Sequence, residues 1–243
     1  MVCRCHRAAS FTAFIRELRL PSARFAKPAA RYKGIIFDLD GTLIDTVPDL
    51  AVAVDRTLVD MGHEPAGEIR VRDWLGNGAS KLIERALRFA EADVPTEHGH
   101  ALALFMQHFG EEFTTRSRLF HGVLEALPAL MAQGCSLAIC SNRPSHLIKP
   151  LLDHLHIGSF FSAWVGGDDL PVKKPDPRPL LHTASKITLS PKDCLVVGDS
   201  INDVQSARSA GMAVAAVRYG YNYGEDISAS HPDLIIGSVL ELV

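Results

Sequence analysis

From Gly34 onward the chain repeats one pattern, a short apolar run followed by a stretch with helical spacing. The first run is Gly34-Ile-Ile-Phe-Asp-Leu-Asp40. Cys135-Ser-Leu-Ala-Ile-Cys140, Ala163-Trp-Val165, Cys194-Leu-Val-Val197 and Val214-Ala-Ala-Val217 follow, and Leu234-Ile-Ile236 reads as an edge strand. A strand that is apolar at consecutive positions is covered on both faces, which is the habit of parallel sheets. Between these runs, residues 123–133 and 201–210 read as helices. Each is followed by a glycine, Gly134 or Gly211, where a helix end takes a left-handed residue. The expected architecture is α/β, a doubly wound parallel sheet.

One stretch breaks the alternation. Residues 46–115 show helical periodicity without a convincing strand: Leu50, Val54, Leu58 and Met61 share a face, as do Leu82, Ile83, Ala86, Leu87 and Phe89. The expectation is a helical cap over 46–115, inserted after the first strand of a core formed by 34–45 and 116–243. Such a cap would cover the carboxyl ends of the strands, where open α/β sheets bind ligands.

Residues 1–33 stand apart, with Arg4, Arg7, Arg16, Arg19, Arg24, Lys27, Arg31 and Lys33 against a single acid, Glu17. This basic extension is expected to be disordered. A transit peptide and a start assigned too early are the other readings. The whole chain carries a net charge of −3, so the basic footprint of a nucleic-acid binder is missing. No run of about 18 apolar residues suggests a membrane span. Cysteines number five, an odd count, and Cys135, Cys140 and Cys194 sit in or beside apolar runs. They read as small core residues in a reduced setting, with a cytoplasmic location expected.

The chemistry lies at the strand ends. Asp38 and Asp40 are two residues apart, so the strand period puts both on one side. Carboxylates that close repel each other unless a cation intervenes, a cost with no structural return. Ser141 follows one later strand, and Asp199 and Asp203 follow another at a helix start, where simple capping is the plainer alternative. Lys174 lies in the proline-rich loop Lys173-Lys-Pro-Asp-Pro177. In a doubly wound sheet these groups meet at one edge. Oxygen ligands suit Mg²⁺, and a hydroxyl with a lysine suits a phosphate.

Phe37-Asp-Leu-Asp-Gly-Thr-Leu43, Ser141, Lys174-Pro175 and Gly198-Asp-Ser-Ile-Asn-Asp203 resemble the four motifs of the haloacid dehalogenase superfamily, across residues 33–243. The resemblance implies a Rossmann-like core and an Mg²⁺-dependent phosphatase for a small-molecule phosphate ester. It implies that Asp38 attacks phosphorus and that Asp40 serves as acid and then base. Ser141 and Lys174 would hold phosphoryl oxygens. Mg²⁺ would be held by Asp38, Asp199 and the backbone carbonyl of Asp40, while Asp203 would orient the metal shell or Lys174. Asp40 favours phosphoryl chemistry, since the founding dehalogenases lack that second aspartate.

Trp74-Leu-Gly-Asn-Gly-Ala-Ser80 with Arg85-Ala-Leu87, the segment 166–177 and Tyr219-Gly-Tyr-Asn-Tyr-Gly224 resemble the bacterial phosphoglycolate phosphatases. Their second motif is commonly Thr-Asn-Lys-Pro, where this chain has Ser141-Asn-Arg143-Pro. Phosphoglycolate also needs a second anion site, for which the cap segment 76–85 is the candidate, through backbone N–H groups beside its glycines at a helix start and through Lys81 and Arg85, with exposed surface cations as the plainer reading of those two. The alternatives are a phosphatase for a sugar or amino-sugar phosphate, a sugar phosphomutase, and a phosphorylated module without turnover. Nucleic acid and membrane are not expected partners, and the protein is expected to be a monomer or homodimer.

Overall fold

In the computed structural model the described residues are 28–75, 78–112 and 114–243. Most of the basic extension, with Cys3 and Cys5, lies outside them. The part of that stretch that is described packs on the core: Pro28–Arg31 forms a short 3₁₀ turn that buries Ala29, and Tyr32 lies against the same cluster.

Six parallel strands make the main sheet. β1 (Gly34–Phe37), β4 (Ser136–Cys140), β5 (Ala163–Val165), β6 (Cys194–Gly198), β7 (Ala213–Val217) and β8 (Leu234–Ile236) lie in the order β5-β4-β1-β6-β7-β8. Two very short strands, β2 (Ile44–Asp45) and β3 (Arg118–Leu119), pair antiparallel beside it. The doubly wound expectation holds, including the edge strand β8. The strand period sorts the core into two layers. Ile35 and Phe37 of β1, with Leu137 and Ile139 of β4, face α5 (Val123–Ala132) and α6 (Ile148–His154). Ile36, Ala138 and Val196 face the opposite way, toward α7 (Arg178–Lys186) and α8 (Ile201–Ser209). Cys135, Cys140 and Cys194 are free thiols buried in these layers.

Between β2 and β3 run four helices, α1 (Val47–Asp60), α2 (Glu68–Trp74), α3 (Ala79–Phe89) and α4 (Val94–Glu112). They share an apolar cluster of their own, built on Val54, Leu58, Val71, Ile83, Leu87 and Phe105. None of the described helices is long and apolar enough to cross a membrane.

The junction between helices and sheet rests on two buried carboxylates. Asp45 accepts from the Tyr221 hydroxyl at 2.6 Å and lies 3.4 Å from Arg72 and 3.5 Å from Arg118. Asp49, in the first turn of α1, accepts from the backbone N–H groups of Arg116 and Ser117 at 2.8 Å and from the Ser117 hydroxyl at 2.5 Å. The segment leading into the helices is thereby tied to the segment leading out. An Asp49→Ala change strands three donors in a buried setting. We expect it to lower stability by about 2–3 kcal/mol, read as a lower urea midpoint at unchanged slope.

Candidate active site

β1 is central in the sheet, and its neighbours are reached by chain running in opposite directions around it. This is the switch point of a doubly wound sheet, where the strand ends open a crevice. Asp38 leaves β1 there, Ser141 leaves β4 and Asp199 leaves β6. Lys174 enters from the loop between β5 and α7, held by Asn142: the side-chain amide donates to the carbonyl of Lys174 and accepts from its N–H, both at 3.0 Å. Asp38, Asp40, Ser141, Lys174 and Asp199 line one cavity, and Asp203 sits directly behind Lys174.

Lys174 is buried and its ammonium is fully used. It donates to Asp203 Oδ1 at 2.6 Å and to the carbonyl of Cys140 at 2.7 Å, and it pairs with Asp38 Oδ1 at 3.0 Å. Asp38 Oδ1 also accepts from the N–H of Leu39 at 2.7 Å. Asp203 Oδ2 accepts from the backbone N–H and hydroxyl of Ser200, closing the capping box that starts α8. Both oxygens of Asp203 accept hydrogen bonds, Oδ1 from the Lys174 ammonium and Oδ2 from Ser200. Asp203 thus caps α8 and holds the Lys174 ammonium at once.

Asp199 is fixed on both oxygens, by the Thr42 hydroxyl at 2.8 Å and the N–H of Tyr221 at 2.6 Å. Two glycines make this fit. A Cβ on Gly220 would stand 2.1 Å from Asp199 Cβ, and one on Gly41 would stand 2.3 Å from Asp199 Oδ2. Gly41 also has φ +88°, a conformation that disfavours side chains.

Asp40 meets a different partner. Arg143 grips it through Nε at 3.1 Å and Nη2 at 2.6 Å. The guanidinium stacks on Phe109 of α4, 4.9 Å from the ring centroid. Ser141 Oγ accepts from the N–H of Arg143 at 3.1 Å, which leaves its own proton to donate elsewhere. Sequence reasoning singled out neither Arg143 as a partner of Asp40 nor Tyr221 and Asn142 as supports. Only the charge at position 143 signalled anything.

The candidate cap cations lie elsewhere. Arg85 donates to the carbonyl of Trp74 and stands 5.3 Å from the Tyr223 ring centroid, and Lys81 pairs with Glu84 at 2.6 Å. Neither lines the cavity, whose wall on the side of the four helices carries, among the described residues, Gly78 and Ala79 at the start of α3 and the apolar side chains of Leu82, Phe105, Met106 and Phe109.

Electrostatics follow from crowding. Burial raises Asp38 to about 7 against the pull of Lys174, with Asp203 and Asp40 adding to the rise. Burial, then the charges of Asp38 and Asp203, push Asp199 well above the usual carboxylate range. Burial pushes Asp40 upward too, yet the Arg143 guanidinium overrides it and holds the group low. Ligand oxygens of Asp38, Asp199 and Asp203 lie within 4.8 Å of one another. Three carboxylates against one ammonium leave excess negative charge, and an all-oxygen donor set fits a hard divalent cation such as Mg²⁺.

Fold and donor set define the class, an α/β enzyme that works with carboxylates at a sheet edge. A model of haloacid dehalogenase-like hydrolases matches residues 32–211, and the chain belongs to that family. It is 42% identical over 229 residues to the phosphoglycolate phosphatase of Salmonella paratyphi A, covering 87% of this chain and 91% of that protein. It is 46% identical over 214 residues to the phosphoglycolate phosphatase of Pseudomonas putida, covering 86% and 78%. A crystal structure titled as a predicted phosphoglycolate phosphatase, from Haemophilus somnus 129pt, superposes with a TM-score of 0.81 at 39% identity, over 87% of this chain and 96% of that one.

The raised value of Asp38 sets a pH dependence. A carboxyl raised by folding contributes stability that is full below its unfolded value of about 4 and is lost as pH rises through about 7. Metal competes with the proton for the same oxygens. The gain in melting temperature from Mg²⁺ relative to EDTA is therefore expected to grow between about pH 5 and about pH 8. Calorimetry at matched ionic strength checks this, and a gain independent of pH counts against the carboxylate site.

Proposed function

We propose that this protein is an Mg²⁺-dependent phosphatase that hydrolyses 2-phosphoglycolate to glycolate and phosphate through an aspartyl phosphate on Asp38. The observation that carries the reading is the state of Asp38. One of its oxygens is pinned by Lys174 and the Leu39 N–H at the switch point of the sheet, and the Ser141 hydroxyl lies across the same cavity. The substrate comes from the relatives 42–46% identical to this chain that bear that name.

In this mechanism Asp38 attacks phosphorus with the carboxylate oxygen that Lys174 leaves open. The ester P–O bond breaks, and the leaving alkoxide takes a proton relayed by Asp40, which Arg143 holds ionised in the free enzyme and which receives that proton from the incoming phosphate monoanion. Asp40 then takes a proton from water as that water attacks phosphorus, and the Asp38–phosphorus bond breaks to release phosphate. Ser141 donates its proton to a phosphoryl oxygen, and Lys174 places its charge beside the nucleophile. Asp203 positions Lys174. Mg²⁺, when bound by Asp38, Asp199 and the carbonyl of Asp40, supplies charge neutralisation for the phosphoryl oxygens. Residues 46–115 act as the cap, whose apolar wall keeps bulk water from the reacting centre.

Asp38→Asn keeps the shape of the site and removes the nucleophile. We expect it to fold, with turnover reduced by several orders of magnitude, on the order of 10⁶-fold as for other lost nucleophiles. Near wild-type phosphate release by the pure variant would sink the mechanism. EDTA should abolish activity and Mg²⁺ restore it. Across a panel of small phosphate monoesters, kcat/KM should be highest for phosphoglycolate; a higher value for glucose 1-phosphate would overturn the substrate and leave the chemistry standing.

A further inference from the structure

A substrate with phosphate at one end and carboxylate at the other needs two cationic or donor-rich regions. Among the described residues, the cavity wall holds two cations, Lys174 and Arg143. The Lys174 ammonium spends its donors on Asp38, Asp203 and the Cys140 carbonyl. Arg143 does not: Nε and Nη2 serve Asp40, while Nη1 is buried with no hydrogen-bond partner. Buried donors are rarely left unpaired, and each one that is asks for an explanation. We propose that Arg143 is the specificity-determining residue of this site and that its guanidinium binds the carboxylate of the substrate. This rests on the phosphoglycolate reading.

Connectivity supports the assignment. In the proposed mechanism Asp40 gives its proton to the leaving oxygen, so that oxygen lies beside Asp40. The carboxylate of phosphoglycolate begins one methylene beyond that oxygen. Arg143 is the cation bonded to Asp40, at 2.6 Å, and it therefore stands next to where the carboxylate must fall. It also shares its turn with the phosphate-side hydroxyl, since its N–H donates to Ser141 Oγ. Phe109 fixes the plane of the guanidinium from the cap side, 4.9 Å away. A stacked, planar fork with a donor to spare is suited to a carboxylate in a way that a lysine point charge is not. The helical side of the cavity, by contrast, offers Leu82, Phe105 and Met106 and, among the described residues, no charged side chain.

The test uses the full-length, Mg²⁺-loaded protein and two substrates, phosphoglycolate and ethyl phosphate, in which a methyl replaces the carboxylate. Arg143→Gln is expected to slow both, because Asp40 loses its clamp. The ratio of kcat/KM for phosphoglycolate to that for ethyl phosphate should fall by a further ten- to hundredfold, about the value of one charge-assisted contact, with the change in KM. Arg143→Lys should recover part of that ratio, and it decides the matter if Arg143→Gln fails to fold. Glycolate should inhibit wild-type ethyl phosphate hydrolysis competitively, with a higher inhibition constant in Arg143→Lys. An equal loss on both substrates, with glycolate inhibition unchanged, overturns the proposal and leaves the substrate reading intact. A wild-type enzyme that favours ethyl phosphate overturns the substrate reading, and the proposal with it.

Discussion

The Lys174 ammonium binds three separate parts of the chain, and the site takes its shape from that junction. A buried ammonium is costly unless every N–H finds an acceptor. Here the acceptors are Asp38 after β1, the Cys140 carbonyl at the end of β4 and Asp203 in α8. Meeting that demand draws the ends of three elements to one point. Secondary contacts then follow in order. Asn142 holds the backbone of Lys174, and Ser200 ties Asp203 to the start of its helix. With Lys174 in place, the remaining negative charge suits a divalent cation, and one oxygen of Asp38 is left for chemistry.

Much of this was legible in the sequence because it is local. Apolar runs gave the strands, and the strand period put Asp38 and Asp40 at one edge. Glycine after each helix pattern matched real ends, with φ +86° at Gly134 and +70° at Gly211. What sequence reasoning missed is long-range. The Arg143–Asp40 pair spans 103 residues, Thr42–Asp199 spans 157 and Tyr221–Asp45 spans 176. No periodicity encodes such contacts. β2 and β3 have two residues each, too few to show alternation. Arg85 shows a related limit. Its spacing from Lys81 on α3 fixes a helical face but not what that face meets, and its guanidinium turns to the carbonyl of Trp74.

The two walls of the cavity differ in character. The sheet edge supplies charge, and the helices supply Leu82, Phe105, Met106 and Phe109. An apolar wall strengthens each charge–charge contact opposite it by lowering the local dielectric. Phe109 joins the two halves, because its ring lies against the guanidinium that grips Asp40. α4 thus touches the clamp on Asp40 through this stacked contact.

The pairing of β2 with β3 has a consequence for how such a chain can change. Ile44 lies opposite Leu119 and Asp45 opposite Arg118, so the polypeptide enters and leaves the four-helix stretch at adjacent points. For the sheet, everything between is a loop whose ends are already closed. Loop-closure entropy grows only as the logarithm of length, about 0.6 kcal/mol per doubling. The excursion can therefore lengthen, shorten or be exchanged for another while the strand register beneath it stays the same. Variation in the helices then reaches the charged groups at the Phe109–Arg143 contact, while the strands that carry those groups keep their register.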